Sequence, residues 1–363
     1  EYIIMITKGK TYIIGEIGQN HNGSVDIAKL ITELVARPVR EEDFDLQLEP
    51  MNAVKMTRRD LNEELTTTQM NRIYDTPNSF GRTYGEHRAV LELDDQAHFE
   101  VYKHAKSLGL EFVETLCAKG CLSMLKLFTP DYLKVASRDL TNLPLLEAMA
   151  ETKIPIILST GMAGKEELDD ALDIITHYHS DISILHCVSQ YPTDPRNLNL
   201  NTILYLKEHY GQYHIGFSDH TIGISAPIVA VGMGAEIIEK HITIDRHMKG
   251  TDQAGSLGPD GVNRMVRDIR ITEKWLGVKD LYIDKNVEPA KVKLERSIAT
   301  NKNLHIGDVI TIDDIHMLSP GDGYKWAQVN EVIGRTVQVE IPKDEVIYLS
   351  LIHISEPTRH LRI

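Results

Sequence analysis

Cysteine is scarce in this chain: Cys117, Cys121 and Cys187 are the only 3 among 363 residues. None has the spacing of a secreted disulfide framework or a zinc cage, the CAKGC run at 117–121 being a weak exception, so they read as buried thiols of a reducing compartment. Long apolar runs are missing too. No stretch reaches the ~18 residues of a membrane helix, and the start has no basic segment followed by an apolar core; a cytoplasmic protein with no membrane partner is the expectation. Positive charge is in deficit, with 39 Lys and Arg against 53 Asp and Glu and a net charge of −14. That balance argues against nucleic acid as a partner, and an anionic substrate would need a local cluster of cations.

What the chain has is a series of short apolar runs, each ending in polar or ionisable residues: TYIIGEIG, NAVKM, EFVETL, YLKVAS, IPIILS, ISILHCVS, YHIGFSDH and AEIIEKH. Between most of them lie stretches with apolar residues at three- and four-residue spacing, such as VDIAKLITELVAR, HFEVYKHAKSLG, LPLLEAMAETK and EELDDALDIITHYH. Alternation of strand and helix demands a parallel sheet, and near-continuous apolar strands imply burial on both faces. Eight such units close a (β/α)₈ TIM barrel, in which side chains at the carboxyl ends of the strands converge on one open face. Residues more than two hundred positions apart can therefore share one pocket.

The domain reading follows. Residues 10–278 form the barrel, VNRMVRDIRITEKWLG being its last helix, and residues 279–291 a charged linker. Residues 292–349 alternate short strands with Gly- and Asp-containing turns, a small β-rich domain too short for assured independent stability. Glu1 to Ile4 precede Met5, and the tail 350–363, SLIHISEPTRHLRI, continues no strand or turn pattern; it reads as non-native and is set outside the functional argument.

Two histidines close successive strands, His220 in SDHT and His241 in EKHIT. Paired imidazoles at one rim suit a divalent metal acting as a Lewis acid on a carbonyl, the bland alternative being two hydrogen-bonded strand-end histidines. His186, inside the apolar ILHC run, reads as a core histidine. Lys55 and Lys134 stand at strand ends among apolar neighbours, where an ammonium is costly without an anion. With hydroxyls from Thr115, Ser137, Ser189 and Ser218 they would make a phosphate and carboxylate cradle; a structural ion pair with Glu16 or Asp139, or a Schiff-base lysine, are the alternatives. Glu16 precedes the loop IGQNHNG and is placed at the barrel mouth as a base for water or a partner of the histidines. The long segment PNSFGRTYGEH (77–87) suits a polar substrate.

These residues resemble the sialic acid synthases, meaning N-acetylneuraminate synthase and its legionaminate and pseudaminate relatives. The resemblance runs from about Tyr12 to Tyr348 and rests on EIGQNHNGS, AVK, TYGEH, KVASRDLTNLP, ILSTGM, LHCVSQYPT, IGFSDHT, GAEIIEKHIT and KGTD in this order, followed by a region like the antifreeze-like (SAF, β-clip) domain. It implies a transferase that condenses phosphoenolpyruvate with the open-chain aldehyde of an N-acetylmannosamine-type sugar, giving a nine-carbon nonulosonic acid and phosphate. A diacetamido-trideoxy hexose, as for legionaminate or pseudaminate, is the alternative sugar, and a Schiff-base pyruvate aldolase is the rival from another class. The resemblance assigns a metal, Mn²⁺ with Mg²⁺ or Co²⁺ as alternatives, to His220 and His241. It gives proton handling to Glu16 and phosphoenolpyruvate to Lys55, Thr115, Lys134, Ser137, Ser189 and Ser218. The sugar falls to Tyr191 and Asp252, with Asn78 and Asp139 added. It also implies a domain-swapped homodimer. The chain departs from the family at Thr57, where many members have glutamine, and at Asp139, where many have glutamate. Ser319 replaces an arginine before the Pro-Gly of the SAF loop, which weakens the case for simple N-acetylmannosamine. The stretch RPVREEDFDLQLEP is longer than usual.

Overall fold

The computed structural model describes Ile6 and residues 9–353 and divides into two units, Glu1–Gly277 and Val278–Ile363. In the first unit eight parallel strands close a barrel: β1 (Tyr12–Gly18), β2 (Ala53–Arg58), β3 (Glu111–Leu116), β4 (Tyr132–Val135), β5 (Ile156–Ser159), β6 (Ile182–Cys187), β7 (His214–Asp219) and β8 (Ile237–His241). Each pairs with its neighbours in sequence, and β1 pairs with both β2 and β8, so the expected eight-unit barrel is the fold found.

Two apolar layers hold it together. Outward-facing residues such as Ile13, Val54, Phe112, Leu133 and Ile238 pack against the ring of helices. Inward-facing Tyr12, Ile14, Ala53, Val113, Tyr132, Ile157, Leu185 and Ile237 fill the amino-terminal half of the interior, so the barrel is solid below its mouth. The helices are fixed by local chemistry. Ser24 caps Val25–Val35 by accepting from Ile27 N at 3.3 Å, and the buried Ala28, Ile31, Leu34 and Val35 form the stripe that meets the strands. A capping box between Thr83 and Glu86 starts Tyr84–Leu91, turning the second half of the PNSFGRTYGEH segment into helix.

The last barrel helix, Pro259–Leu276, secures the seam. Its buried Arg270 donates to the carbonyls of Thr11 (2.7 Å), Glu49 (3.2 Å) and Pro50 (3.1 Å) and to Asn52 Oδ1 (3.0 Å), and pairs with Glu273 at 2.8 Å. One guanidinium thus ties the segments that enter β1 and β2, a use suited to its fixed fork of donors. The long RPVREEDFDLQLEP stretch folds as an antiparallel hairpin, Val39–Glu41 against Leu46–Leu48, with Val39 and Leu48 buried.

In the second unit Ser297–Thr300 pairs with Ile315–Leu318 and Thr336–Val337 with Ile352–His353. Ile298, Leu304, Ile310, Ile315, Val332, Val337, Ile341, Ile347 and Ile352 form its core. Two sequence boundaries need correction here. The linker 279–291 contains a 3₁₀ turn, Lys285–Val287, and most of a helix, Glu288–Leu294, which Pro289 helps to start. The tail set apart at residue 350 continues the fold as far as His353, because Ile352 buries its side chain in the core; 354–363 lie outside the described residues. Ser319 donates to Leu294 O at 2.9 Å, closing the end of that helix.

Candidate active site

The site follows from the two-residue period of a strand. On every barrel strand the inward face changes character within one step towards the carboxyl end: Ile14 to Glu16, Ala53 to Lys55, Val113 to Thr115, Tyr132 to Lys134, Ile157 to Ser159, Leu185 to Cys187, Gly216 to Ser218 and Ile237 to Glu239. The register aligns these residues around the ring, with Glu16 beside both His241 and Lys55, Thr115 beside Lys134, and Ser218 beside Cys187 and Glu239. Above this polar layer stand Thr57, Ser189, His220 and His241. Together they surround a cavity of about 270 Å³ at the barrel mouth.

Charge in the cavity is tightly arranged. Lys55 Nζ lies 2.5 Å from Glu16 Oε2 and 3.7 Å from Glu239 Oε1, and donates to Thr115 Oγ1 at 3.1 Å. Burial pulls the Lys55 pKa down, but Glu16 and Glu239 outweigh it and hold the ammonium above the ordinary lysine value. Lys134 donates to Ser159 Oγ at 2.6 Å and Val135 O at 3.0 Å, and burial lowers its pKa against the pull of Glu239. Burial would raise Glu239, yet Lys134, Lys55 and the Ser218 hydroxyl, 2.9 Å away, bring it down to about 2. The floor is therefore ionic, two lysines against two carboxylates, with Glu239 Oε2 left without a hydrogen-bond partner.

The residues fit a metal. The His220 and His241 rings are 5.6 Å apart between centroids. His220 Nδ1 is 2.9 Å from Val188 O; an imidazole that donates there keeps its lone pair on Nε2, the arrangement usual for a ligating histidine. Burial depresses its pKa to about 3, so the ring is neutral, as a ligand must be. His241 Nδ1 is buried without a hydrogen-bond partner. Among the described residues no three or more His, Cys, Asp or Glu side chains form a metal cage, so such a centre would be open to water or substrate oxygen.

Of the residues singled out from sequence, Glu16, Lys55, Thr115, Lys134, Ser137, Ser189, Tyr191, Ser218, His220, His241 and Asp252 all line the cavity. Tyr191 lies over His220, ring centroids 4.0 Å apart. Asn78 and Asp139 do not line it. Asn78 is exposed, and its Oδ1 accepts from Gly250 N at 3.5 Å, joining its loop to the one that carries Asp252. Asp139 closes the 3₁₀ turn Ser137–Asp139, in which Ser137 faces the cavity; Asp139 is buried against Arg138 at 3.3 Å. His186 faces outward, bonds Leu198 O at 2.8 Å and stacks on Phe217, a core histidine as expected. Sequence reasoning missed Glu239, Ser159, Arg59, Arg138, Gln19 and Met162 in the lining. Counting back two residues from His241 gives Glu239, and two on from Ile157 gives Ser159.

Comparison with known proteins identifies the family. The model of the NeuB family matches residues 49–280 and that of the SAF domain matches residues 295–352. The N,N'-diacetyllegionaminic acid synthase of Legionella pneumophila is 32% identical, the alignment covering 91% of each chain. Human N-acetylneuraminate-9-phosphate synthase is 28% identical over 94% of this chain and 92% of its own. The crystal structure of N-acetylneuraminic acid (sialic acid) synthetase from Leptospira borgpetersenii in complex with citrate superposes with a TM-score of 0.65 at 30% identity, covering 77% of this chain and 90% of that one. For the described residues no helix is long and apolar enough to cross a membrane. With the family model spanning most of the barrel and relatives aligned along nearly the whole length, the chain belongs to the NeuB family and carries a SAF domain.

Proposed function

We propose that this chain is a nonulosonic acid synthase that joins phosphoenolpyruvate to the open-chain aldehyde of an N-acylated mannosamine-type sugar and releases phosphate. The observation that carries the reading is one cavity that holds two buried lysines, a ring of hydroxyls and a pair of neutral or unpartnered imidazoles. The synthase names of the relatives support the same class.

Each residue has work suited to its place. Lys55 and Lys134, with Thr115, Ser137, Ser159, Ser189 and Ser218, bind the phosphate and carboxylate of phosphoenolpyruvate by charge-assisted hydrogen bonds. Tyr191 and Asp252 hold the sugar at the mouth. His220 and His241 would hold a divalent cation, Mn²⁺ in this reading, which would supply Lewis-acid polarisation of the aldehyde oxygen. Carbon 3 of phosphoenolpyruvate bonds to the aldehyde carbon, and water adds to carbon 2. Glu16 takes one water proton and passes it to the former aldehyde oxygen. The carbon 2–oxygen bond then breaks, phosphate leaves with the bridging oxygen and the remaining hydroxyl proton, and carbon 2 becomes the ketone. Phosphoenolpyruvate carrying ¹⁸O at the bridging position tests this: the label should appear in phosphate, and label kept in the keto acid would rule the pathway out.

At one corner of the cradle the hydroxyls crowd the backbone so closely that only glycine fits. A Cβ on Gly161 would stand 2.4 Å from Ser189 Oγ, 2.7 Å from Ser137 Oγ and 3.0 Å from Cys187 Sγ. Gly161→Ala is expected to raise KM for phosphoenolpyruvate by about tenfold, one charge-assisted hydrogen bond being worth roughly 1.5–3 kcal/mol, with little change in melting temperature. An unchanged KM in steady-state kinetics would remove Ser137 and Ser189 from the phosphate cradle.

The sugar is either N-acetylmannosamine or a 2,4-diacetamido relative, and Thr57, whose hydroxyl lies 3.4 Å from Glu16, leaves room where many family members have glutamine. A homodimer is part of the same reading; light scattering that finds a monomer at assay concentration would oppose it. A cytoplasmic setting fits the reduced cysteines.

A further inference from the structure

Two arginines line the cavity wall and have no part in the scheme above. Arg59 follows the end of β2 and Arg138 follows β4. Arg138 is well served, with Nη2 at 3.2 Å from Glu64 Oε2 and Nε at 3.3 Å from Asp139 Oδ2. Arg59 is not. Its Nε is buried without a hydrogen-bond partner. Its two carboxylate contacts are long, Nη1 to Glu64 Oε2 at 3.7 Å and Nε to Glu92 Oε1 at 3.9 Å. Each of those oxygens is held more closely by another arginine, Glu64 Oε2 by Arg138 and Glu92 Oε1 by Arg88 at 2.6 Å. A guanidinium with five donors, a side chain only 13% exposed and no short acceptor is costly unless something in the cavity completes it.

We propose that Arg59, with Arg138 beside it, forms an anion-binding subsite that takes the oxygens of a phosphate or carboxylate group on a substrate. The planar fork matches two oxygens of such a group at once. This rests on the function proposed above and sharpens it. The group has two possible sources, phosphoenolpyruvate itself or an anionic substituent on the far carbon of the sugar. Arg59 stands one residue past the end of β2 and lines the same cavity as Lys55 and Thr57. That placement puts the subsite towards the rim, above the lysine layer.

The test uses the full chain as wild type, Arg59→Gln and Arg59→Lys, with melting curves to confirm folding. Calorimetric titration with inorganic phosphate and with phosphoenolpyruvate is paired with KM for the amino sugar, with and without a terminal phosphate. Expected for Arg59→Gln is a loss of at least tenfold for phosphoenolpyruvate, which identifies it as the source, or the same loss confined to the phosphorylated sugar, which identifies the sugar. Arg59→Lys should recover only part, since it restores charge without the fork. Should Arg59→Gln not fold, the Lys variant carries the comparison. Phosphate, phosphoenolpyruvate and both sugars all unaffected in either variant would overturn the subsite. Wild type that binds inorganic phosphate through Arg59 but does not bind phosphoenolpyruvate would instead defeat the proposed function and leave the subsite standing.

Discussion

Replacing His241 by alanine is expected to lower turnover by about 100-fold or more while the barrel stays folded. Lewis-acid stabilisation of developing charge is worth several kcal/mol, and each ~1.4 kcal/mol is a factor of ten in rate. The side chain stands at the end of β8, above the packed interior formed by Ile237 and its inward-facing neighbours, so its removal opens no core cavity. Activity that remains should also lose its dependence on added Mn²⁺, because His220 alone makes a poor site. Metal content by elemental analysis and thermal melting separate loss of the ion from loss of the fold. Turnover that stays high with its metal dependence unchanged would take His241 out of the ligand pair.

Lys134→Met should raise KM for phosphoenolpyruvate by about 10- to 150-fold, the equivalent of roughly 1.5–3 kcal/mol for a hydrogen bond to a charged group, and leave KM for the sugar nearly unchanged. Methionine keeps the unbranched apolar stem and removes the ammonium that bonds Ser159 Oγ and Val135 O. The fold is expected to survive, since Glu239 retains Ser218 at 2.9 Å and Lys55 at 3.7 Å. The same variant bears on the aldolase rival, which has the burial-lowered pKa of Lys134 in its favour. Borohydride trapping of pyruvate on wild type but not on Lys134→Met, without metal, would favour that rival over the cradle.

Much of this was legible in the chain because a parallel barrel writes itself plainly. Its strands are buried on both faces and read as short apolar runs, and its polar residues gather at one end of each run. His220, His241, Lys55 and Lys134 could be placed at one mouth on that logic alone. Glu239 escaped notice because it sits inside an apolar run, between Ile238 and Lys240, where the eye follows the strand's end and not its inward face; the alternation from His241 would have found it. Arg59 and Arg138 were out of reach. Both lie beyond the strand ends, and their arrangement depends on the short helix Leu61–Glu64, which brings Glu64 near both. Asn78 belongs to a loop whose direction no periodicity encodes, and it meets Gly250 instead of the cavity. Asp139 stays off the cavity lining because Ser137–Asp139 is a tight turn and not a strand, so residues two apart face different ways.

The central claim, metal-assisted condensation in the barrel mouth, is tested most directly by phosphate release from phosphoenolpyruvate with Mn²⁺. N-acetylmannosamine and 2,4-diacetamido-2,4,6-trideoxymannose are offered in parallel, each with a chelator control. Release should require a sugar and stop when the metal is removed, with the preferred sugar fixing the branch of the family. No release with either sugar or its phosphorylated form, from protein shown to be folded and metal-loaded, would contradict it.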